Sequence, residues 1–185
     1  MRIIAGRHKG RRLAAPPGEA TRPTADRVRQ ALFDALTHAP WAGRDRLDGA
    51  RVLDAFAGTG ALGLEALSRG AAHVTFMETA RPALAAIRAN IAACGAEDVA
   101  KVLAVDATRP PRADKACTLI FLDPPYGQDF VARGVTALAA AGWIAPGALL
   151  VAEAGRAEPA PELPGFTLCD ERAHGAAVLR AWQGA

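Results

Sequence analysis

The sequence predicts an α/β fold in which helices cover both faces of a mostly parallel sheet. From residue 51 onward, short apolar runs alternate with Ala-rich helical stretches, which is typical of strands that are buried on both faces. The 185 residues, 51% hydrophobic and 22% charged, are enough for one such domain with a small appendage. The last 20 residues differ, because they predict two strands joined by a short turn and therefore an antiparallel strand at the end of the sheet.

The first 40 residues are predicted to form a separate unit, a small β-hairpin followed by a helix. The arms of the hairpin are residues 2–6 and 11–14, on either side of a tight turn. Apolar residues at i, i+3 and i+4 predict an amphipathic helix over residues 25–38, with Arg27 and Arg29 on its polar side.

Residues 41–185 are predicted to form the α/β domain. Its strands are predicted at residues 51–54, 73–77, 101–105, 118–122, 147–153, 166–171 and 176–182. Its helices are predicted at residues 61–69, 80–93 and 129–141. The 19 residues from Gly134 to Ala152 carry no charge, but Pro146 interrupts them. They therefore predict a helix, a turn and a strand, and we expect no membrane span.

Composition excludes several other classes of protein. Cys94, Cys117 and Cys169 lie far apart, and no CxxC pair or histidine cluster is present, so we expect neither a disulfide scaffold nor a metal site. Unpaired thiols suit a reducing cytosol, and the basic N-terminus lacks the apolar core of a signal peptide. We therefore expect a cytoplasmic protein, and a monomer.

Positive charge is concentrated at the N-terminus. The net charge is +3, yet the first 30 residues carry eight basic and two acidic side chains. The rest of the chain is therefore mildly acidic, and a basic segment on an acidic body predicts a polyanionic partner such as nucleic acid. The candidate contacts to that partner are Arg2, Arg7, Lys9, Arg11, Arg12, Arg22 and Arg27.

A glycine-rich turn between the first predicted strand and helix indicates a cofactor site. Asp54 ends the strand, Gly58 and Gly60 follow in the turn, and Glu78 lies at the end of the next strand. Glycines let a ligand approach the backbone closely, and the N-terminus of the following helix adds partial positive charge. The carboxylate of Glu78 can bridge the two hydroxyls of a ribose.

The same turn matches the GxGxxG fingerprint of dinucleotide-binding proteins, so an NAD-dependent oxidoreductase is a second hypothesis. Asp54 argues against it, because a carboxylate there would repel a pyrophosphate. The carboxylate suits a ligand with an ammonium group, such as the methionine end of S-adenosylmethionine. Asp106, just past the third strand, could accept a hydrogen bond from an adenine amino group, or it could only cap a turn.

The sequence Asp123-Pro124-Pro125-Tyr126 follows the fourth predicted strand and indicates a catalytic site. Consecutive prolines make the loop rigid and remove two backbone donors. The Asp123 carboxylate and the Pro124 carbonyl can then accept hydrogen bonds from one exocyclic amino group and turn its lone pair toward an electrophile. Tyr126 offers a ring on which a base can stack.

These motifs resemble the Rossmann-like methyltransferases that modify exocyclic amino groups. The N-terminal residues narrow the resemblance, since Arg2–Gly6, Lys9–Arg11 and the run from Arg22 to Phe33 are similar to the RsmD-type 16S rRNA guanine-N2 methyltransferases. Two departures are Gln30, where the family usually has Glu, and Thr79-Ala80, where charged residues are more usual. The resemblance covers almost the whole chain.

The resemblance implies methyl transfer from S-adenosylmethionine to N2 of one guanine in small-subunit rRNA. It implies a seven-stranded sheet whose last strand is antiparallel, and a substrate that is the small ribosomal subunit or its assembly intermediate. Asp123, Pro124, Pro125 and Tyr126 would be the catalytic residues. The cofactor would be held by Asp54, Phe56, Gly58, Gly60, Glu78, Asp106 and Ala107. Methylation of adenine in DNA or of a protein glutamine remains an alternative.

Overall fold

A computed structural model describes residues 1–16, 23–43, 45–125, 127 and 129–185. Its strands are β1 (Arg51–Ala55), β2 (His73–Met77), β3 (Ala100–Leu103), β4 (Cys117–Leu122), β5 (Ile144–Gly155), β6 (Phe166–His174) and β7 (Ala177–Gly184). They form a seven-stranded sheet in the order β3-β2-β1-β4-β5-β7-β6. The first five strands are parallel, and β7 runs antiparallel between β5 and β6. This confirms the predicted sheet and its antiparallel last strand.

Helices cover both faces of the sheet, as predicted. They are α1 (Pro23–His38), α2 (Ala61–Ser68), α3 (Arg81–Cys94) and α4 (Phe130–Ala140). α1 begins two residues earlier than predicted, because proline is well tolerated in the first turn of a helix. The uncharged segment from Gly134 to Ala152 forms the end of α4 and most of β5. Within the described ranges, no helix is long and apolar enough to cross a membrane.

Side-chain alternation along the strands divides the core into two layers. Val52, Phe121 and Val151 face the layer that contains α1, α2 and α3. Their neighbours Leu53 and Ile120 face the opposite layer, together with α4 residues. Because successive residues of a strand point to opposite faces, the positions two residues beyond Val52, Phe121 and Val151 return to the first layer. Those positions are Asp54, Asp123 and Glu153.

The N-terminal arm, which we define as residues 1–16, folds back on itself, with backbone hydrogen bonds from Ile3 to Arg11 (2.9 Å) and from Leu13 to Met1 (3.1 Å). Its only β-pairing is an isolated antiparallel bridge between Arg2 and Arg12. The arm packs on α2, where the fully buried carboxylate of Glu65 accepts hydrogen bonds from the backbone N–H groups of Ile4 (2.7 Å) and Ala5 (3.0 Å). Ile3 and Leu13 are buried in the same core layer as α1. The arm therefore shares the core of the domain.

Arg29 does not lie on a solvated helix face, so that prediction is wrong. Its side chain is 5% exposed, and its Nη2 donates to the Arg2 carbonyl (2.6 Å) and to Asp26 (3.0 Å). Its Nε lies 3.9 Å from the Glu65 carboxylate. The arm covers this face of α1, and a buried guanidinium is tolerated because it is paired there. Arg27 is exposed, as predicted.

Candidate active site

A cavity of about 550 Å³ opens at the carboxyl edge of β1, β4 and β5. The glycine turn forms one wall, and Met1, α1 and the turn between β6 and β7 form the others. Of the predicted site residues, Asp54, Phe56, Gly58 and Asp123 line it. The structure thus brings the predicted cofactor motif and the predicted catalytic aspartate into one cavity, at the edge where open α/β sheets bind ligands.

Asp54 forms the floor of the cavity. It is 1% exposed, and its Oδ2 accepts a hydrogen bond from the Gly63 N–H at 2.8 Å. Its pKa is raised to about 8, mainly by burial; the hydrogen bond from Gly63 lowers the pKa, and the nearby carboxylates of Asp123 and Glu78 raise it. Three carboxylates that repel one another favour a cationic ligand and disfavour a pyrophosphate.

Glu78 holds the glycine turn in place. Its Oε2 accepts from the Gly58 N–H at 2.8 Å, and its Oε1 accepts from the N–H groups of Thr79 (2.7 Å) and Ala80 (2.8 Å). Thr79 and Ala80, which depart from the family pattern, thus contribute backbone donors, for which their side chains are not needed.

The glycines of the turn have different roles. Gly58 (φ +55°) lines the cavity, and a Cβ there would meet no other atom within 4 Å. Gly60 (φ +76°) begins α2 in the left-handed region. A Cβ at Gly63 would lie 2.5 Å from the Phe76 ring, so this glycine allows α2 to pack closely on β2. Open space in front of Gly58, beside the buried carboxyl of Asp54, leaves room for a cationic ligand such as S-adenosylmethionine.

Asp123 stands at the end of β4, between two cavities. The walls of the site desolvate its carboxyl, and the carboxylate of Glu153 repels its negative charge. Together these two effects raise the pKa of Asp123 to about 7. Its side chain remains exposed in the open cavity, so water offsets part of these effects. Pro124 and Pro125 line a second cavity of about 590 Å³ that also reaches Glu153. Tyr126 lies outside the described residues.

Two of the predicted cofactor residues, Asp106 and Ala107, do not line the cavity. Asp106 is exposed, and its Oδ1 accepts from the N–H and the hydroxyl of Thr108, both at 2.8 Å. These hydrogen bonds lower its pKa. Asp106 therefore caps a turn through Oδ1, and Ala107 is buried beside it. The contact of these two residues with the cofactor stays a prediction. Phe56 lines the cavity, and its ring packs on Phe130 with 5.6 Å between centroids.

Six of the seven predicted RNA contacts are described by the structure, and all six are exposed. Arg2, Lys9 and Arg27 border a shallow hollow of about 300 Å³ between the arm and α1. The side chains of Arg7, Arg11 and Arg12 are also exposed. Arg22 lies outside the described residues. Because Met1 lines the main cavity, this basic surface adjoins the entrance to the site.

Sequence reasoning missed three residues that organise the site. Asn90 is buried in α3 and donates to the carbonyl of Thr59 (2.9 Å), and it exchanges hydrogen bonds with the backbone of Ala14. It thereby joins the glycine turn to the arm. Glu153 and His174 also line the cavity. Asn90 falls on the apolar face of α3, between Ile87 and Cys94, and this was a usable signal because a buried amide needs partners.

Among the residues that the structure describes, no group of three or more His, Cys, Asp or Glu side chains is arranged to hold a metal ion.

A family model described as Conserved hypothetical protein 95 matches residues 1–183. The Ribosomal RNA small subunit methyltransferase D of Haemophilus influenzae is 33% identical over 187 residues, which cover 99% of this chain and 93% of that protein. The protein of the same name from Escherichia coli is 34% identical over 184 residues, covering 99% and 89%.

A solved structure agrees with these relatives. The yhhF protein of Escherichia coli superposes with a TM-score of 0.84 at 33% identity and covers 100% of this chain and 97% of its own. The fold is thus the Rossmann-like methyltransferase fold that the resemblance implied. We conclude that this chain belongs to the Ribosomal RNA small subunit methyltransferase D family.

Proposed function

We propose that this protein transfers a methyl group from S-adenosylmethionine to N2 of one guanine in the RNA of the small ribosomal subunit. Its substrate would be the subunit or an assembly intermediate, not free RNA. The observation that supports this most directly is the shared cavity, in which Asp123 faces the same space as Asp54 and the glycine turn. An amino group held by Asp123 would therefore lie beside a methyl donor held by Asp54 and Glu78.

S-adenosylmethionine would supply an electrophilic methyl group, so the work of the protein is to position the acceptor. The lone pair of a guanine amino group is delocalised into the ring. Hydrogen bonds from that group to Asp123 and to the Pro124 carbonyl would make the nitrogen more pyramidal and stabilise the positive charge that develops on it. A carboxyl with a pKa near 7 is also suited to accept the proton that the nitrogen releases.

The target guanine must leave its stack to enter a cavity of this depth. The exposed basic arm would hold the surrounding phosphates, which orients the particle without reading its sequence. The stacking role of Tyr126 remains a prediction from the sequence.

The experiment is methylation of small-subunit particles isolated from a deletion strain, with purified protein and radiolabelled S-adenosylmethionine, followed by nucleoside analysis. We expect N2-methylguanosine at a single position of 16S rRNA and little transfer to naked rRNA. Label in N6-methyladenosine or in a glutamine side chain would contradict the proposed substrate. Thermal stabilisation by NAD, and none by S-adenosylmethionine, would contradict the proposed reaction.

A further inference from the structure

The buried amide of Asn90 connects three segments of the chain. Asn90 lies in α3, and its Oδ1 accepts a hydrogen bond from the Ala14 N–H at 2.7 Å. Its Nδ2 donates to the carbonyls of Ala14 (3.0 Å) and Thr59 (2.9 Å). The amide oxygen and both amide hydrogens are therefore used. One side chain thus joins α3 to the end of the arm and to the glycine turn.

Thr59 receives contacts from both ends of the arm. It stands between the two glycines of the turn, and it lines the cavity. Its carbonyl binds Asn90, and its hydroxyl donates to the Met1 sulfur at 3.4 Å. The Leu13 N–H donates to the Met1 carbonyl at 3.1 Å, so the two ends of the arm meet beside the turn.

A second set of hydrogen bonds holds the middle of the arm on α2, and none of them involves the glycine turn. Glu65 and Ser68, the fifth and the last residues of α2, accept these hydrogen bonds from the backbone of residues 4–8. The arm is therefore fixed at two places, one on α2 and one at Asn90 and Thr59. The second place is the one that touches the proposed cofactor site.

The order of the turn and the order of the arm are linked at this second place. A turn that contains two glycines has wide backbone freedom, so a ligand held against it restricts the Thr59 backbone. A restricted Thr59 carbonyl keeps Asn90 in the position that binds Ala14. RNA held on the arm acts in the opposite direction through the same hydrogen bonds. Because each ligand reduces the ordering that the other must still produce, the two should bind with positive cooperativity.

We propose that Asn90 is a positioning residue that couples the binding of S-adenosylmethionine at the glycine turn to the docking of RNA on the arm. The protein that carries the cofactor would hold the ribosomal particle more tightly than the empty protein. This inference rests on the proposed function, because it needs the methyl donor in the cavity and RNA on the arm.

The first test is amide hydrogen exchange of the wild-type protein without RNA, followed by NMR. The Leu13 and Ala14 amides report the contact at the turn, whereas the Arg7 and His8 amides donate to Ser68 and report the contact on α2. Saturating S-adenosylhomocysteine, the demethylated product, should slow the exchange of Leu13 and Ala14 by at least about fivefold. It should change the exchange of Arg7 and His8 by less than about twofold, so this second pair is an internal control.

The second test is filter binding of small-subunit particles from the deletion strain, with and without S-adenosylhomocysteine. The compound should lower the Kd of the wild-type protein for the particle by at least about fivefold. Asn90→Leu keeps a side chain of similar size and removes the three hydrogen bonds, so this ratio should fall to about one. Ser68→Ala is the matched control, because it removes a buried hydroxyl that binds the His8 N–H away from the turn. Its ratio should equal that of the wild type.

The outcomes separate this inference from the proposed function. If S-adenosylhomocysteine binds but slows the four amides equally, or slows none of them, Asn90 only supports the fold and the inference is wrong, while the proposed function stands. The same conclusion follows if Asn90→Leu keeps the ratio of the wild type. If Asn90→Leu does not fold, the exchange rates of the wild-type protein decide between the two results. If the protein binds no S-adenosylhomocysteine, both proposals fail.

Discussion

In the proposed function, the protonation of Asp54 would be coupled to the binding of S-adenosylmethionine. Its pKa of about 8 means that the carboxyl is largely protonated at pH 6 to 7 in the free protein. The ammonium group of S-adenosylmethionine would bind the ionised form, so binding must release a proton. A ligand that needs the deprotonated carboxyl of Asp54 binds more tightly as the pH rises toward the raised pKa of that group.

We therefore expect the Kd for S-adenosylmethionine to fall by up to about tenfold between pH 6 and pH 7, where an α-amino group remains protonated. Calorimetry in buffers of different ionisation enthalpy measures both the affinity and the released proton. Asp54→Asn should bind more weakly and lose the pH dependence, whereas the exposed Asp98→Asn should behave as the wild type. An unchanged slope in Asp54→Asn would assign the proton to another group.

Asp123 should matter for the reaction and much less for the cofactor. In the proposed reaction its contacts with the amino group would strengthen as the nitrogen attacks, so Asp123→Ala should lower the single-turnover rate by roughly 100-fold or more. The Kd for S-adenosylmethionine should change by less than about threefold, because Asp54 and Glu78 remain in place. Rapid-quench methylation and calorimetry measure the two quantities. A near-normal rate in Asp123→Ala would remove this residue from the catalytic role.

At the scale of elements, the N-terminal arm depends on α2. Besides Glu65, the backbone of Ser68 accepts from the Arg7 N–H (2.8 Å), and the Ser68 hydroxyl accepts from the His8 N–H (3.0 Å). Gly6 passes so close to Ser68 that a Cβ would overlap its carbonyl oxygen. Only a glycine lets the arm lie on the helix at this point.

Gly6→Ala should therefore separate the arm from α2, and Gly10→Ala is its matched control. Both glycines have positive φ, +78° and +82°, but a Cβ at Gly10 would meet nothing within 4 Å. Gly10→Ala should cost about 1 kcal/mol of stability from backbone strain alone. Gly6→Ala should cost at least about twice that and remove hydrogen-exchange protection from Ile4 and Ala5. Equal losses in urea denaturation would show that the close approach is not important.

At the scale of the whole molecule, the excess positive charge and the candidate active site lie in different parts of the chain. The cavity is built mainly from residues after 50, and the exposed excess of positive charge lies on the arm. The arm is held by backbone hydrogen bonds and by buried apolar residues, so its exposed basic side chains are not needed for folding. Replacing Arg2, Arg7, Lys9, Arg11 and Arg12 by Gln should therefore leave the fold and the cofactor affinity unchanged.

The same replacement should weaken binding to the ribosomal particle and make it less dependent on salt. Each lost phosphate contact lowers the slope of log K against log salt by about 0.7–0.9. Filter binding across a salt series, together with calorimetry for the cofactor, measures the two effects. Replacing the exposed Arg88, Arg112 and Lys115 by Gln is the control, because these residues lie outside the arm. A salt slope equal in all variants would contradict the arm as the RNA-docking element.

The sequence by itself was enough for the strands, the helices and the motifs at the sheet edge. Apolar runs and helical periodicity are local signals, and the ends of parallel strands always meet at one edge. The sequence therefore predicts Asp54 and Asp123 at one edge of the sheet, and both line the cavity there. Asp106 was identified for the same reason, and the structure shows it capping the turn at Thr108.

Only the tertiary structure decided which polar residues are buried and which lie side by side. Periodicity placed Arg29 on a polar face, because it could not show that the arm covers that face. Glu153 and His174 are brought to one cavity by the pairing of β5 with β7 and of β7 with β6. Such pairings join distant parts of the chain, and their free energy comes from burial and from hydrogen bonds between strands. A local pattern reports the environment that a residue needs, and the packed fold decides which neighbour provides it.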